Sequence, residues 1–161
     1  MTHTEREQRV ESFGHAAQEL ADMVDQCPAD AWDYRPAPGE WSIHEIVVHL
    51  GDSEMNAAVR IRQCIADPGQ PIRPYSETKW AASLRYQEQE AADALQVFTA
   101  LRQATYKLLK STPDAIWANT TVHPERGTQT LDDLLTTSER HAWNHIEQVR
   151  NNYKAWLAQR K

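Results

Sequence analysis

Apolar side chains recur every three to four residues along most of the chain, which is the spacing of one face of an α-helix. A first stripe of this kind predicts a helix over residues 4–26. Ser42 and Glu45 form a capping box, so a second helix is predicted over residues 43–66. Its apolar positions form two stripes, which indicates contacts on two sides of that helix.

The second half of the chain repeats this pattern. A third helix carries apolar residues from Leu95 to Leu109, and its start is blurred because residues 80–86 also have helical character. Thr130 predicts the N-cap of a last helix that ends near Leu157. No strand pattern of any strength is present. We therefore expect an all-α protein, an antiparallel up-and-down four-helix bundle whose second and last helices run parallel.

Composition narrows the class of protein. A chain of 161 residues predicts one domain over residues 1–161. The net charge of -6 and the lack of a basic face argue against a nucleic-acid partner. The polar start and the lack of a long apolar run predict neither a signal peptide nor a membrane span. Cys27 and Cys64 form no CxxC motif, so ordinary packing in a reducing cytoplasm is expected.

The candidate chemistry begins with His141 and His145 in the last predicted helix. Four residues apart, they lie on the same helix face, on the shoulder of its apolar stripe beside Leu134 and Ser138. Chance supplies about 0.3 such pairs in a chain with this many histidines, so core or surface histidines without a metal stay open as alternatives. A shared cation would let both rings stay neutral, since two protonated rings would repel.

His49, about two turns into the second helix, is the best candidate for a third ligand. Three histidines would leave a coordination position for water or substrate, as catalytic metal sites do. Glu45, Asp52 and Glu54 are candidate bases, and Asp52 could instead orient the ring of His49. His123, in a predicted loop, is a candidate for lining a pocket. The catalytic residues themselves stay unassigned.

Several familiar metal motifs are missing from the chain. Ala142 stands where the HExxH motif has its glutamate, which excludes the zinc-protease pattern. A Glu-x-x-His pair does not occur, which argues against a ferritin-like di-iron bundle. Neither a glycine-rich phosphate loop nor GxSxG is found.

Four segments, taken in this order and spacing, resemble the DinB-like (DinB/YfiT) family across residues 32–150. They are Glu40–Leu50 with Asp52 and Glu54, Tyr75–Tyr86, His123–Gly127 with Thr130 and Leu131, and His141-x-x-x-His145 with Gln148 and Val149.

The resemblance implies a four-helix bundle that holds a divalent metal ion, often zinc or nickel, with three histidines. Those histidines fall on His49, His141 and His145. Family members are often homodimers, and characterised relatives include thiol S-transferases that use bacillithiol or mycothiol and a mycothiol-dependent maleylpyruvate isomerase. The family name implies no DNA binding.

Two hypotheses follow for function. The first is a metal-dependent enzyme, a thiol S-transferase or hydrolase, that acts on a small molecule with a low-molecular-weight thiol as a further cofactor. Trp41, Tyr75, Trp80 and His123 would then shape the pocket. The second is a non-catalytic, dimeric bundle that binds a metal or ligand. A purely structural bundle without metal is a third alternative.

Overall fold

The structure is a computed structural model that describes residues 1–160. It is built from four long helices, one short helix and one β-hairpin. The helices are α1 (His3–Asp25), α2 (Ile43–Ala66), α3 (Glu77–Ser83), α4 (Ala91–Lys110) and α5 (Leu131–Ala158), and the strands are β1 (Thr120–His123) and β2 (Gly127–Thr130). The four predicted helices are confirmed. Within residues 1–160, no helix is long and apolar enough to cross a membrane.

Hydrogen-bonded caps determine where α2 and α5 begin. The hydroxyl of Ser42 accepts from the backbone N–H of Glu45, whose carboxylate accepts from the N–H of Ser42. Thr130 and Asp133 form the same reciprocal pair before α5. Each cap satisfies N–H groups that the first helical turn leaves free. The sequence predicted both starts correctly because the cap is a local pattern.

The helices are not ordered as the up-and-down prediction requires. Arg6 contacts Asp132 near the start of α1 and of α5, and Glu19 contacts Arg150 further along both helices. These two neighbours therefore run parallel, whereas the first and last helices of an up-and-down bundle run antiparallel.

Helices α2 and α4 form a second parallel pair. Gly51 lies so close to Ala94 that a Cβ at Gly51 would be 3.0 Å from the Ala94 carbonyl oxygen. Further along both helices, Arg62 donates to the Thr105 hydroxyl. Each of α1 and α2 packs mainly against α4 and α5, so α1 and α2 lie diagonally opposite each other.

Helices α2 and α5 run antiparallel, which corrects the prediction that they are parallel. Asn152, near the end of α5, donates to the carbonyl of Trp41, just before α2 begins. The physical reason is the long connections, which cross the bundle instead of turning back to the next helix. The segment 67–90 runs back along α2, so α4 begins near the end where α2 began. Hydrophobic periodicity shows which face is buried but not which neighbour covers it.

The hairpin of β1 and β2 was not predicted. Its register pairs Thr120 with Thr130 and His123 with Gly127, which has a φ of +73° at the turn. The Ile72 N–H donates to the Val122 carbonyl and ties the segment after α2 to β1. The strands are four residues long and rich in threonine, so they lack the alternating apolar pattern of a strand.

The core has two apolar clusters, one toward each end of the bundle. One includes Leu20, Ile46 and Val149, and the other includes Phe13 and Leu135. Three buried polar side chains lie between these clusters along the chain, namely Glu54 of α2 and Ser138 and Glu139 of α5. Both cysteines are buried, as expected of packing residues.

Candidate metal centre and adjoining cleft

Three histidines from two helices converge at one point, as the sequence predicted. His49 of α2 and His141 and His145 of α5 each offer a ring nitrogen, and these nitrogens all lie within 4.8 Å of one another. The Nε2 atoms of His49 and His141 are 3.1 Å apart. Two imidazole nitrogens bound to one ion at about 2.0–2.1 Å would be about 2.8–3.0 Å apart in octahedral geometry and about 3.3–3.4 Å apart in tetrahedral geometry. The donor set therefore fits a divalent metal ion.

Burial keeps the rings of His49 and His145 neutral. Desolvation, followed by the charges of His145 and His141, lowers the pKa of His49 to about 3. Desolvation and His141 likewise lower the pKa of His145 to about 4. A metal ligand has to be the neutral imidazole, so these two rings need lose no proton at neutral pH to bind an ion.

Neighbouring side chains orient the rings. The Nδ1 of His145 lies 2.9 Å from the Oε1 of Gln148, so its Nδ1–H donates there and the Nε2 lone pair is left for an ion. Trp41 packs on the other side, with its ring 4.8 Å from the His49 ring and stacked 6.2 Å from the His145 ring. Gln148 lies three residues after His145, which is the helical spacing that places it on the same face.

Asp52 does not orient His49, contrary to the hypothesis from helical spacing. Its carboxylate accepts a 2.7 Å hydrogen bond from the hydroxyl of Tyr86. The Nδ1 of His49 is buried and has no hydrogen-bond partner among residues 1–160. Spacing along one helix could not show that the segment 67–90 folds back and supplies a competing donor.

Glu77, at the first turn of α3, is a site residue that the sequence did not indicate. Its Oε1 lies 3.8 Å from the Nε2 of His141. The proximity of His141 is the main reason that the pKa of Glu77 falls to about 2. The carboxylate is half-exposed and therefore places a negative charge on the open side of the histidines. Glu77 comes close to His141 only because the segment 67–90 runs back along α2.

A cleft of about 170 Å³ opens beside His141. Its lining includes Glu54, Arg60, Tyr75, Glu77, His123 and Arg126. The hypotheses that Tyr75 and His123 line a pocket are thus confirmed, although His123 is a buried residue of β1 and not of a loop. Trp80 instead packs on Tyr75, with ring centroids 4.6 Å apart.

Glu54 is the buried carboxylate of this cleft. It is 1% exposed, and its Oε2 accepts a 2.5 Å hydrogen bond from Arg102. Its Oε1 has no partner in the part of the chain that the structure describes. Burial raises the pKa of Glu54 although Arg102 opposes that shift. Of the bases considered from sequence, Glu54 is the one that reaches the cleft.

The fold and the three-histidine cluster together define a helical bundle with a candidate metal site. The DinB superfamily matches residues 12–149, and the chain belongs to this superfamily. A Bacillus cereus (strain G9842) relative, provisionally named a metal-dependent hydrolase, is 29% identical over 146 residues, covering 89% of this chain and 82% of its own length.

Two further relatives carry the same provisional name. One, from Oceanobacillus iheyensis, is 27% identical over 111 residues, which cover 69% of this chain and 64% of the relative. The other, YfiT of Bacillus subtilis, is 26% identical over 112 residues, which cover 69% of this chain and 63% of YfiT. The chain thus spans slightly under two thirds of the length of these two relatives.

Solved structures share the fold. The structure of YfiT, described as having an unusual four-helix bundle topology, matches with a TM-score of 0.88 and 21% identity over 96% of this chain and 89% of YfiT. A mycothiol-dependent maleylpyruvate isomerase matches with a TM-score of 0.68 and 11% identity over 91% of this chain and 62% of the isomerase. The crossed helix order therefore agrees with a known bundle of unusual topology.

Proposed function

We propose that this protein is a divalent-metal-dependent enzyme that acts on a small molecule, with His49, His141 and His145 as the metal ligands. The observation that carries the proposal is the convergence of three ring nitrogens within 4.8 Å beside a cleft. Three protein ligands are the number that catalytic zinc sites use. Imidazole suits zinc and nickel equally, so both metals are proposed.

A bound ion would lower the pKa of a water or thiol ligand and so supply a nucleophile near neutral pH. The protein's own groups then have separable tasks. Gln148 holds the tautomer of His145, and Trp41 shields the rings on one side. Glu54 is the better proton acceptor, because burial raises its pKa, whereas the pKa of Glu77 is lowered to about 2.

The reaction that we favour is transfer of a low-molecular-weight thiol to an electrophile, and hydrolysis is the second candidate. Relatives named as metal-dependent hydrolases support the hydrolase, and the mycothiol-dependent isomerase of similar fold supports the use of a thiol. Both reactions need a nucleophile activated at the same centre. The mass of the product separates them, since it gains either the thiol or water.

Metal analysis of protein purified without an affinity tag tests the ligands. We expect the natural chain to retain zinc or nickel and the His145→Ala variant to lose most of it. His15→Ala is the matched control, because His15 is exposed on α1 and far along the chain from the cluster. Equal metal content in all three proteins would overturn the proposed site.

A screen of thiols against electrophilic acceptors tests the activity. Turnover that disappears with EDTA and returns with zinc or nickel would support an enzyme. Metal binding without turnover for any pair would favour the non-catalytic binding protein instead. The thiol and the acceptor should each be omitted in turn, because thiol transfer requires both and hydrolysis requires only one substrate.

We further propose that the protein forms a homodimer. Met55 and Val59 on α2 and Val97 on α4 are exposed apolar side chains, and burial between two copies would remove them from water. Light scattering during size-exclusion chromatography gives the mass directly. Val59→Lys should shift a dimer toward the monomer, and a monomeric natural chain would contradict the proposal.

A further inference from the structure

Two arginines share the cleft without a carboxylate partner. Arg60 projects from α2 and Arg126 from the turn between β1 and β2, and both line the cleft. Salt bridges elsewhere use other arginines, and within residues 1–160 neither of these two forms one. Burial lowers the pKa of Arg60, and the charge of Arg126 adds a smaller effect in the same direction, so the two cations repel each other. An anion between them would relieve that repulsion.

The segment after α2 fixes the guanidinium of Arg60. Its Nη2 donates a 2.7 Å hydrogen bond to the carbonyl of Arg73. Its Cζ lies 5.7 Å from the centre of the Tyr75 ring, within the range of a cation–π contact. One of five N–H groups is thereby used, and the others stay available to a ligand.

His123 holds the turn that carries Arg126. Its Nδ1 accepts from the backbone N–H groups of Glu125 and Arg126, at 3.1 and 3.3 Å. The proton of the neutral ring is therefore on Nε2, which makes that atom a hydrogen-bond donor. His123 is buried, so this donor is held in place at the same end of the cleft as the arginines.

The carboxylates of the cleft do not cancel this positive end. Glu54 is bonded to Arg102, and Glu77 lies beside His141. Glu125 is exposed. Glu54 and Arg60 are six residues apart, or about 9 Å along the helix axis. The cleft thus has a metal-ligating end and a cationic end that a short molecule could span.

We propose that the cleft takes a short substrate with a terminal oxyanion, held by Arg60 and Arg126, whose other end faces the three histidines. A guanidinium offers two parallel N–H groups that match the oxygens of a carboxylate, phosphate or sulfonate. The position of the reacting end rests on the proposed function. The anion subsite stands on the two arginines and His123 alone.

Calorimetric titration of the zinc-loaded protein tests the subsite with probes of equal length. These are 4-mercaptobutyrate, 3-mercaptopropane-1-sulfonate and the neutral 4-mercaptobutan-1-ol. We expect at least one anion to bind about tenfold or more tightly than the alcohol, which is the effect of one hydrogen bond to a charged group. The preferred anion shows whether a planar or a tetrahedral oxyanion fits better.

Arg60→Gln and Arg126→Gln should each reduce the preference for the anion about tenfold while leaving the affinity for the alcohol unchanged. Arg73→Gln is the matched control, because its side chain is exposed and outside the cleft lining, and it should change neither affinity. Equal binding of anion and alcohol, or a preference that survives both variants, would overturn the subsite.

The His145→Ala variant separates this inference from the proposed function. If the metal centre binds the thiol end, this variant weakens all three probes by the same factor and keeps the preference for the anion. A preference for the anion with no effect of His145→Ala would contradict the proposed metal role and support the subsite. Binding of none of the probes would overturn both.

Discussion

His49 and Glu54, five residues apart on α2, are the centres of two polar clusters. The side chains of these two clusters are compensated for the loss of water in different ways. Around His49, three imidazoles meet, and burial holds at least two of them in their neutral form. Around Glu54, opposite charges pair, since Arg102 donates to it at 2.5 Å and both side chains are 1% exposed. The Arg102 guanidinium also lies 3.9 Å from the ring centre of Phe13.

The difference shows which cluster is built to take a ligand. A carboxylate and a guanidinium neutralise each other's charge, although Glu54 Oε1 and the Nε and Nη1 atoms of Arg102 have no hydrogen-bond partner within residues 1–160. Three imidazoles do not satisfy one another in this way, because none of them carries a negative charge while their ring nitrogens converge on one point. A cation at that point supplies what the cluster lacks. Stability is therefore expected to depend on Arg102, and metal binding on the histidines.

Removal of Arg102 should have the largest effect. Arg102→Met leaves the Glu54 charge buried without a partner, and we expect a loss of about 3–5 kcal/mol in the free energy of unfolding. Urea denaturation at neutral pH measures it. The double variant with Glu54→Gln should recover most of the loss, because it removes the unpaired charge. A loss below about 1 kcal/mol for Arg102→Met would show that the pair is not the desolvated ion pair described above.

The loss in Arg102→Met should also depend on pH. Burial already raises the pKa of Glu54, and Arg102 is the largest influence that lowers it. A glutamate in the unfolded chain has a pKa of about 4.3. When folding raises this pKa, the carboxyl group contributes fully to the free energy of unfolding below about pH 4.3, and the contribution is lost as the pH rises through the folded-state pKa. The deficit should therefore be smallest in acid and grow toward neutral pH, and a deficit independent of pH would contradict this cause.

Metal addition should produce the next largest effect, now at the other cluster. Free zinc at about 100–1,000 times Kd should raise the free energy of unfolding of the natural chain by about 3–4 kcal/mol. The His145→Ala variant should lose this increment. The Arg102→Met variant should keep it, although its free energy of unfolding without metal is lower. Urea denaturation with zinc and with EDTA measures both. The same increment in His145→Ala would mean that the ion stabilises the fold from another site.

Local patterns account for what the sequence predicted. The caps at Ser42 and Thr130 and the four helices depend on residues a few positions apart, and these predictions are confirmed. The pair His141 and His145 depends on spacing within one helix, and its convergence with His49 is confirmed.

The parts that sequence reasoning missed depend on long-range paths. Helices α2 and α4 run parallel because the segment 67–90 runs back along the bundle. Apolar periodicity does not indicate the direction in which a connecting segment runs. The same segment brings Glu77 to His141 and turns Asp52 toward Tyr86. The hairpin that carries Arg126 is stabilised by strand pairing of polar residues, which leaves no apolar signal.

Loss of Gln148 should have a smaller effect that is specific to the metal. Gln148→Ala removes the acceptor for the Nδ1–H of His145, so the ring loses its preferred tautomer and orientation. We expect metal affinity to fall about 10- to 100-fold, measured by competition with a zinc chelator. Asn144→Ala is the matched control, since Asn144 is exposed beside His145. Equal affinities in the two variants would show that Gln148 does not orient the ligand.

The smallest effect is expected at the N-cap of α5. Thr130→Ala removes the hydroxyl that accepts from the Asp133 N–H, and we expect a loss of about 1 kcal/mol in the free energy of unfolding. Metal affinity should stay unchanged, because His141 lies about three turns further along the helix. Urea denaturation and chelator competition measure the two quantities on one preparation. A parallel loss of metal affinity would mean that metal binding depends on the general stability of α5. The distinction between the Glu54 cluster, which stabilises the fold, and the His49 cluster, which binds a metal ion, would then be weaker.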